Sequence, residues 1–154
     1  MMFYMSRRYD EAIEQLEQVD TTDPGTTDVT RWLMSCFAMK GDQNNAFEQL
    51  VKTQEAAGTS PEDVASLRAV FASGGWLSAL RTSLDISSRL GKKRAFLTAD
   101  MLAQIGEKDK AFEVLNEIHD RRAIMLIYVA REPLLDPLRD DPRYSAILSQ
   151  MNLK

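Results

Sequence analysis

Few residues in this 154-residue chain are of types that do chemistry, and their spacing points away from catalysis. His119 is the only histidine, which removes most His-based catalytic triads and His-rich metal sites. It falls at the end of a helical run beside Asp120, Arg121 and Arg122, where an imidazolium complements the helix dipole. Cys36, the only cysteine, excludes an intramolecular disulfide. It lies in the apolar run Trp32-Leu33-Met34-Ser35-Cys36-Phe37-Ala38-Met39, with no adjacent histidine or basic pair to activate the thiol. Asp136, Asp140 and Asp141 make an acidic cluster, but Pro133, Pro137 and Pro142 assign them turn and capping tasks, and the spacing is not that of a calcium loop. Gly74-Gly75 has no Lys-Ser/Thr behind it and reads as a turn between helices. The eight methionines read as adaptable packing. No enzyme activity, cofactor or metal is expected.

Composition is that of an ordinary globular chain, with 44% apolar and 27% charged residues. A net charge of −4 argues against a general nucleic-acid surface, which needs a basic stripe to displace phosphate counterions. The one basic concentration, Arg89, Lys92, Lys93 and Arg94, reads as a solvated helix end. No stretch approaches the roughly 20 apolar residues of a membrane span, so no membrane insertion is expected. The start, Met1-Met2-Phe3-Tyr4-Met5, is too short and lacks the cleavage site of a secretory signal. The expected compartment is the cytoplasm, unless the chain is a piece of a membrane-attached protein.

The elements that must position these residues announce themselves through a repeated phrase. Gly41-Asp42…Ala46-Phe47-Glu48-Gln49-Leu50 recurs as Gly74-Gly75…Ala79-Leu80 and as Gly106-Glu107…Ala111-Phe112-Glu113-Val114-Leu115. An earlier copy, Tyr9-Asp10-Glu11-Ala12-Ile13-Glu14-Gln15-Leu16, has Arg7 at the glycine slot. The alanines at 12, 46, 79 and 111 step by 34, 33 and 32 residues, the period of stacked helical hairpins. In the three later copies a glycine ends one helix, and in all four the alanine lets the next approach closely. Ile13, Phe47, Leu80 and Phe112 fill the space beside the crossing. The fold class is all-α: an α-solenoid of about four hairpins, the first truncated, with a C-terminal capping helix. The whole chain, 1–154, is one repeat domain, with hairpins over 1–24, 28–58, 60–91 and 92–122 and the cap over 123–154.

Turn chemistry marks the joints. Asp23-Pro24-Gly25 closes the first hairpin, and Ser60-Pro61-Glu62-Asp63 supplies an N-cap serine with proline at the first helical position. Asp141-Pro142 opens a last helix with Tyr144, Ile147, Leu148 and Met151 on one face. The second helix of the first hairpin lacks a full partner, so Ile13, Leu16 and Val19 form an open apolar stripe that invites self-association. A homodimer built through that stripe, making the chain a structural or oligomerisation element, is the alternative function.

Arg8-Tyr9-Asp10-Glu11-Ala12-Ile13-Glu14-Gln15-Leu16…Asp23-Pro24 resembles the second helix and closing turn of a tetratricopeptide (TPR) repeat, and the other three units resemble the same repeat with losses, among them Ser83 where a large apolar residue is usual. Gly106 to Phe112, followed by Leu135-Asp136-Pro137-Leu138-Arg139-Asp140-Asp141-Pro142-Arg143-Tyr144, resembles the C-terminal close of repeat regions in bacterial signalling proteins. The chain then reads as an excised C-terminal region, or as a short reading frame derived from one. The resemblance implies a protein or peptide partner held on a concave face lined by the first helix of each hairpin. Residues four apart share a helix face, which nominates Arg31, Ser35 and Met39, then Arg68 with Phe71, then Phe96, Asp100 and Gln104. Arg31 and Arg68 would take the carboxylates of an acidic partner. The ordered Lys and Asn set of the chaperone-tail-binding subclass is not present, and that activity is not implied.

Overall fold

The computed structural model describes residues 2–22, 27–91, 95–120 and 126–150, and among them there are helices and no strands. The turn at Asp23-Pro24-Gly25, Lys92 to Arg94 of the basic cluster, Arg121, Arg122 and Met151 lie outside the described residues, as does the His119 side chain. The chain divides into two compact units, Met1–Lys92 and Lys93–Lys154.

The first unit holds α1 (Met2–Met5), α2 (Tyr9–Thr22), α3 (Thr27–Lys40), α4 (Gln43–Ala56) and α5 (Pro61–Arg89), each packed on the next from α1 to α5. The second holds α6 (Ala95–Gln104), α7 (Lys108–Asp120), α8 (Leu126–Val129), a 3-10 turn (Pro133–Leu138) and α9 (Pro142–Gln150). There α6 packs on α7 and on the 3-10 turn, and α7 on α9.

The repeated phrase is a repeated set of backbone hydrogen bonds. After α3, Gly41 N–H donates to the Ala38 carbonyl and Asp42 N–H to that of Phe37; after α6, Gly106 and Glu107 do the same to Ala103 and Leu102. This pair satisfies the last carbonyls of the helix, and it requires positive φ at its first donor. Gly41 and Gly106 have φ of 80° and 81°. Arg7 makes the identical pair with Tyr4 and Phe3 (through Arg8 N–H) at φ 61°, so a residue with a Cβ holds the left-handed conformation where the pattern wants glycine. The next helix then starts in register: Ala12, Ala46 and Ala111 each donate to the carbonyl four residues back, at 3.0 Å. All four phrase alanines, Ala79 included, are at most 2% exposed, and Ile13, Phe47, Leu80 and Phe112 are buried beside them.

Ser83 occupies the slot filled by Leu50 and Leu115 in its sibling hairpins, and it is completely buried. Gln54 of α4 accounts for it: Nε2 donates to Ser83 Oγ at 2.5 Å and to Ser87 Oγ at 3.2 Å, while Gln54 Oε1 accepts from Thr59 Oγ1 at 2.8 Å. A polar knot replaces the apolar contact, and the amide is satisfied on both sides.

The first hairpin corrects the expectation of an open stripe. Although α1 is four residues long, Tyr4 is fully buried, 5.3 Å from the Trp32 ring edge-on and 5.9 Å from that of Tyr9. Ile13 is buried because α2 packs between α1 and α3; Leu16 is partly covered, and only Val19 stands open at 46%. On α1, Met2 also stands open.

In the second unit the proline-rich tail covers α6 and α7. Leu134, Leu135 and Leu138 are buried, as are Tyr144 and Ile147, and Leu148 is partly so. Tyr144 Oη donates to the Val129 carbonyl at 2.5 Å. Arg139 donates to Asp136 and to the Ala130 carbonyl. Arg143 donates to Asp141 and, at 2.8 Å, to Asp109 at the start of α7, with its guanidinium 4.3 Å from the Phe112 ring. Asp141 also accepts from Arg143 N–H, the capping role its position predicts. Side-chain and backbone hydrogen bonds from Arg143 lower the Asp141 pKa from 3.8 to about 2.

Two measurements check these assignments. Gly41→Ala should cost about 1–2 kcal/mol in urea unfolding from backbone strain alone, since an added Cβ meets nothing within 4 Å; Arg7→Gly should shift the midpoint the other way, by less than about 1 kcal/mol after the entropy of glycine is subtracted. The Asp141 contribution is complete above pH 3.8 and is lost as the pH falls toward about 2, so acid unfolding should flatten over that window in Asp141→Asn.

Candidate protein-interaction surface

The residues nominated for a groove fall into three environments. On α3, Arg31 is 9% exposed with its guanidinium 4.3 Å over the Trp32 ring, and Ser35 is 1% exposed, donating to the Arg31 carbonyl. Met39 is partly exposed. On α6, Phe96 and Asp100 are buried, and Gln104 is partly exposed with Nε2 donating to the Leu134 carbonyl of the 3-10 turn at 2.9 Å. Arg31 and Ser35, and likewise Phe96 and Asp100, are therefore enclosed side chains rather than open posts. The cause is visible in composition: α3 and α6 carry apolar residues round most of their circumference, and such helices belong inside.

Of the nominated residues only Arg68 is fully open to solvent, in the first half of α5. Ser60 caps it, its Oγ accepting from Asp63 N–H, and Pro61 takes the first helical position. Val64 and Leu67 face inward, which leaves Arg68 outward and Phe71 partly so. Phe71 stacks on Phe47 of α4, with centroids 3.9 Å apart and planes 2° from parallel. Arg68 lies 5.9 Å from the same Phe47 ring and forms a two-pronged contact with Glu48, at 2.8 and 3.2 Å. Its hydrogen bonds lower the Glu48 pKa, and Glu48 raises that of Arg68. Arg68 thus holds a carboxylate in bidentate fashion, but one from its own chain.

Glu48 and the Phe47 stack were not among the residues nominated from sequence. The sequence marks Phe47 as a packing residue, and no local pattern joins Glu48 to Arg68 across 20 positions. Both side chains of the pair are about half exposed, so the contact is open to exchange with an outside carboxylate. Among the described residues no group of three or more His, Cys, Asp or Glu side chains could hold a metal ion, and no helix is long and apolar enough to cross a membrane. No protein-family model, curated protein or solved structure matches the chain.

The exposed pair should be weak and the ring stack stronger. Glu48→Gln should change stability by less than about 1 kcal/mol, whereas a double-mutant cycle on Phe47 and Phe71 should return a coupling of about 0.5–1.5 kcal/mol. Thermal or urea unfolding of the four variants reads both.

Proposed function

We propose that the chain is a non-catalytic scaffold for protein or peptide recognition, its TPR-like hairpins stacked as an α-solenoid, and that it serves as a module of a bacterial signalling or regulatory protein. The observation that carries this reading is the identical turn at residues 7–8, 41–42 and 106–107, each followed by a buried alanine that starts the next helix in the same register. A chain assembled from one repeated hairpin spends its sequence on stacking and leaves helix faces as its working surface. The structural tasks of Leu135, Leu138, Arg139, Asp141, Arg143 and Tyr144 support reading the tail as the cap of such an array.

Within this scaffold the partner contacts Arg68 and Phe71 on α5. An acidic segment replaces Glu48 on the guanidinium while an apolar side chain of the same segment lies against the exposed part of Phe71. The internal carboxylate keeps Arg68 oriented and must be displaced, which favours partners with more than one acidic group.

Fluorescence anisotropy with a panel of acidic peptides, at low and physiological salt, tests the proposal. Arg68→Ala should weaken binding by about 1–3 kcal/mol, Glu48→Gln should tighten it by removing the competitor, and Arg143→Ala should leave it unchanged. Affinity should fall with salt, since exposed pairs are screened over about 8 Å at physiological ionic strength. Equal binding by the Arg68 and Glu48 variants would remove α5 as the contact surface.

A further inference from the structure

The third hairpin is two helices, both within α5, joined through one non-helical residue. Backbone dihedrals stay helical through α5 except at Gly75, where φ is 70° and ψ −165°. That region is essentially closed to residues with a Cβ. The fold-back is evident from Arg89, whose Nη2 donates to Asp63 Oδ1 at 2.7 Å although the two lie 26 residues apart. A straight helix would separate them by about 39 Å. Gly74 is tied to the bent form too: a Cβ there would sit 2.5 Å from Ser78 Oγ, which donates across the bend to the Gly74 carbonyl. A straightened α5 needs neither glycine, and it contains no proline beyond Pro61 at its start.

We propose that α5 is a two-state element, closed as a hairpin within one chain and open as a continuous helix in a reciprocally exchanged dimer of this chain. Once the hinge opens, the arm formed by residues 76–89 loses its place on α4, and Trp76, Ala79, Leu80 and Ile86 cannot remain in water. Its buried face is not generic, because Ser83 and Ser87 are matched to Gln54. A second copy of the chain offers that same α4 surface, and a hinge of one residue is short enough to favour exchange over mere opening. Every closed contact, including Asp63 with Arg89, is then remade between copies.

The Asp63→Cys/Arg89→Cys variant, treated with a bis-maleimide linker as long as the arginine–aspartate contact it replaces, distinguishes the states, since the cross-link is intramolecular in the closed form and intermolecular in the exchanged one; Cys36 is buried and stays out of the reaction. Refolded at high concentration and treated with the linker, this variant should give a covalent dimer on denaturing gels, and inserting two glycines after Gly75 should abolish the dimer. Gly75→Ala, which closes the bent conformation but not the straight one, should double the mass seen by light scattering with no loss of helical circular dichroism. The proposal is overturned if the cysteine pair yields only monomer, or if the lengthened loop leaves the dimer unchanged. A helical monomeric Gly75→Ala chain overturns it, as does one without helix at any concentration, because an accessible open state accepts alanine.

Discussion

Close approach of two helices at an alanine is the constraint on which both units depend. Ala12, Ala46, Ala79 and Ala111 are almost wholly enclosed, and a longer side chain at any of them would push the backbones apart. The large residue beside each alanine can fill its space only at the resulting separation. The turn before Ala12, Ala46 and Ala111 starts the new helix in the same register through the same hydrogen-bond pair, whereas the chain turns at Gly75 before Ala79. Where glycine is missing, at Arg7, the geometry is kept and the backbone is strained instead. A residue with a Cβ holds the left-handed conformation there, and Ala12 and Ile13 beyond it are buried.

Features of the chain set within five or six residues were legible in the sequence. The glycine-ended helices, the Ser60 cap and the Asp141-Pro142 start depend on dihedral preference and on hydrogen bonds to near neighbours, and the structure has them where the spacing puts them. The sequence places the third break at Gly74-Gly75, and the dihedrals confine it to Gly75. What was not legible depends on distant residues. Arg31, Ser35, Phe96 and Asp100 share helix faces as their spacing requires, but whether a face is open is decided by what packs on it. A partial signal was present: α3 and α6 are apolar nearly all round, the mark of enclosed helices. No signal at all links Glu48 to Arg68, or Gln54 to Ser83, because both pairs join separate helices.

Polar groups in the two units act with very different force. Half-exposed ion pairs such as Arg68 with Glu48 orient side chains and contribute little to stability. Enclosed hydrogen bonds such as Tyr144 to the Val129 carbonyl hold elements in place, because losing either partner strands the other away from water. The tail illustrates the division. Its buried leucines supply cohesion, while Arg139 ties the Ala130 carbonyl and Arg143 reaches across to Asp109 on α7.

The Gln54 knot has a consequence for identity. Hairpins built on one phrase present nearly interchangeable apolar surfaces, and interchangeable surfaces allow a helix to settle against the wrong sibling. Ser83 removes that ambiguity for its own helix. A leucine in its slot would leave the Gln54 amide stranded, and a serine set against any purely apolar neighbour would be stranded in turn. The pair therefore works as an address, legible only to the matching sequence, and a second copy of the same chain carries the same address.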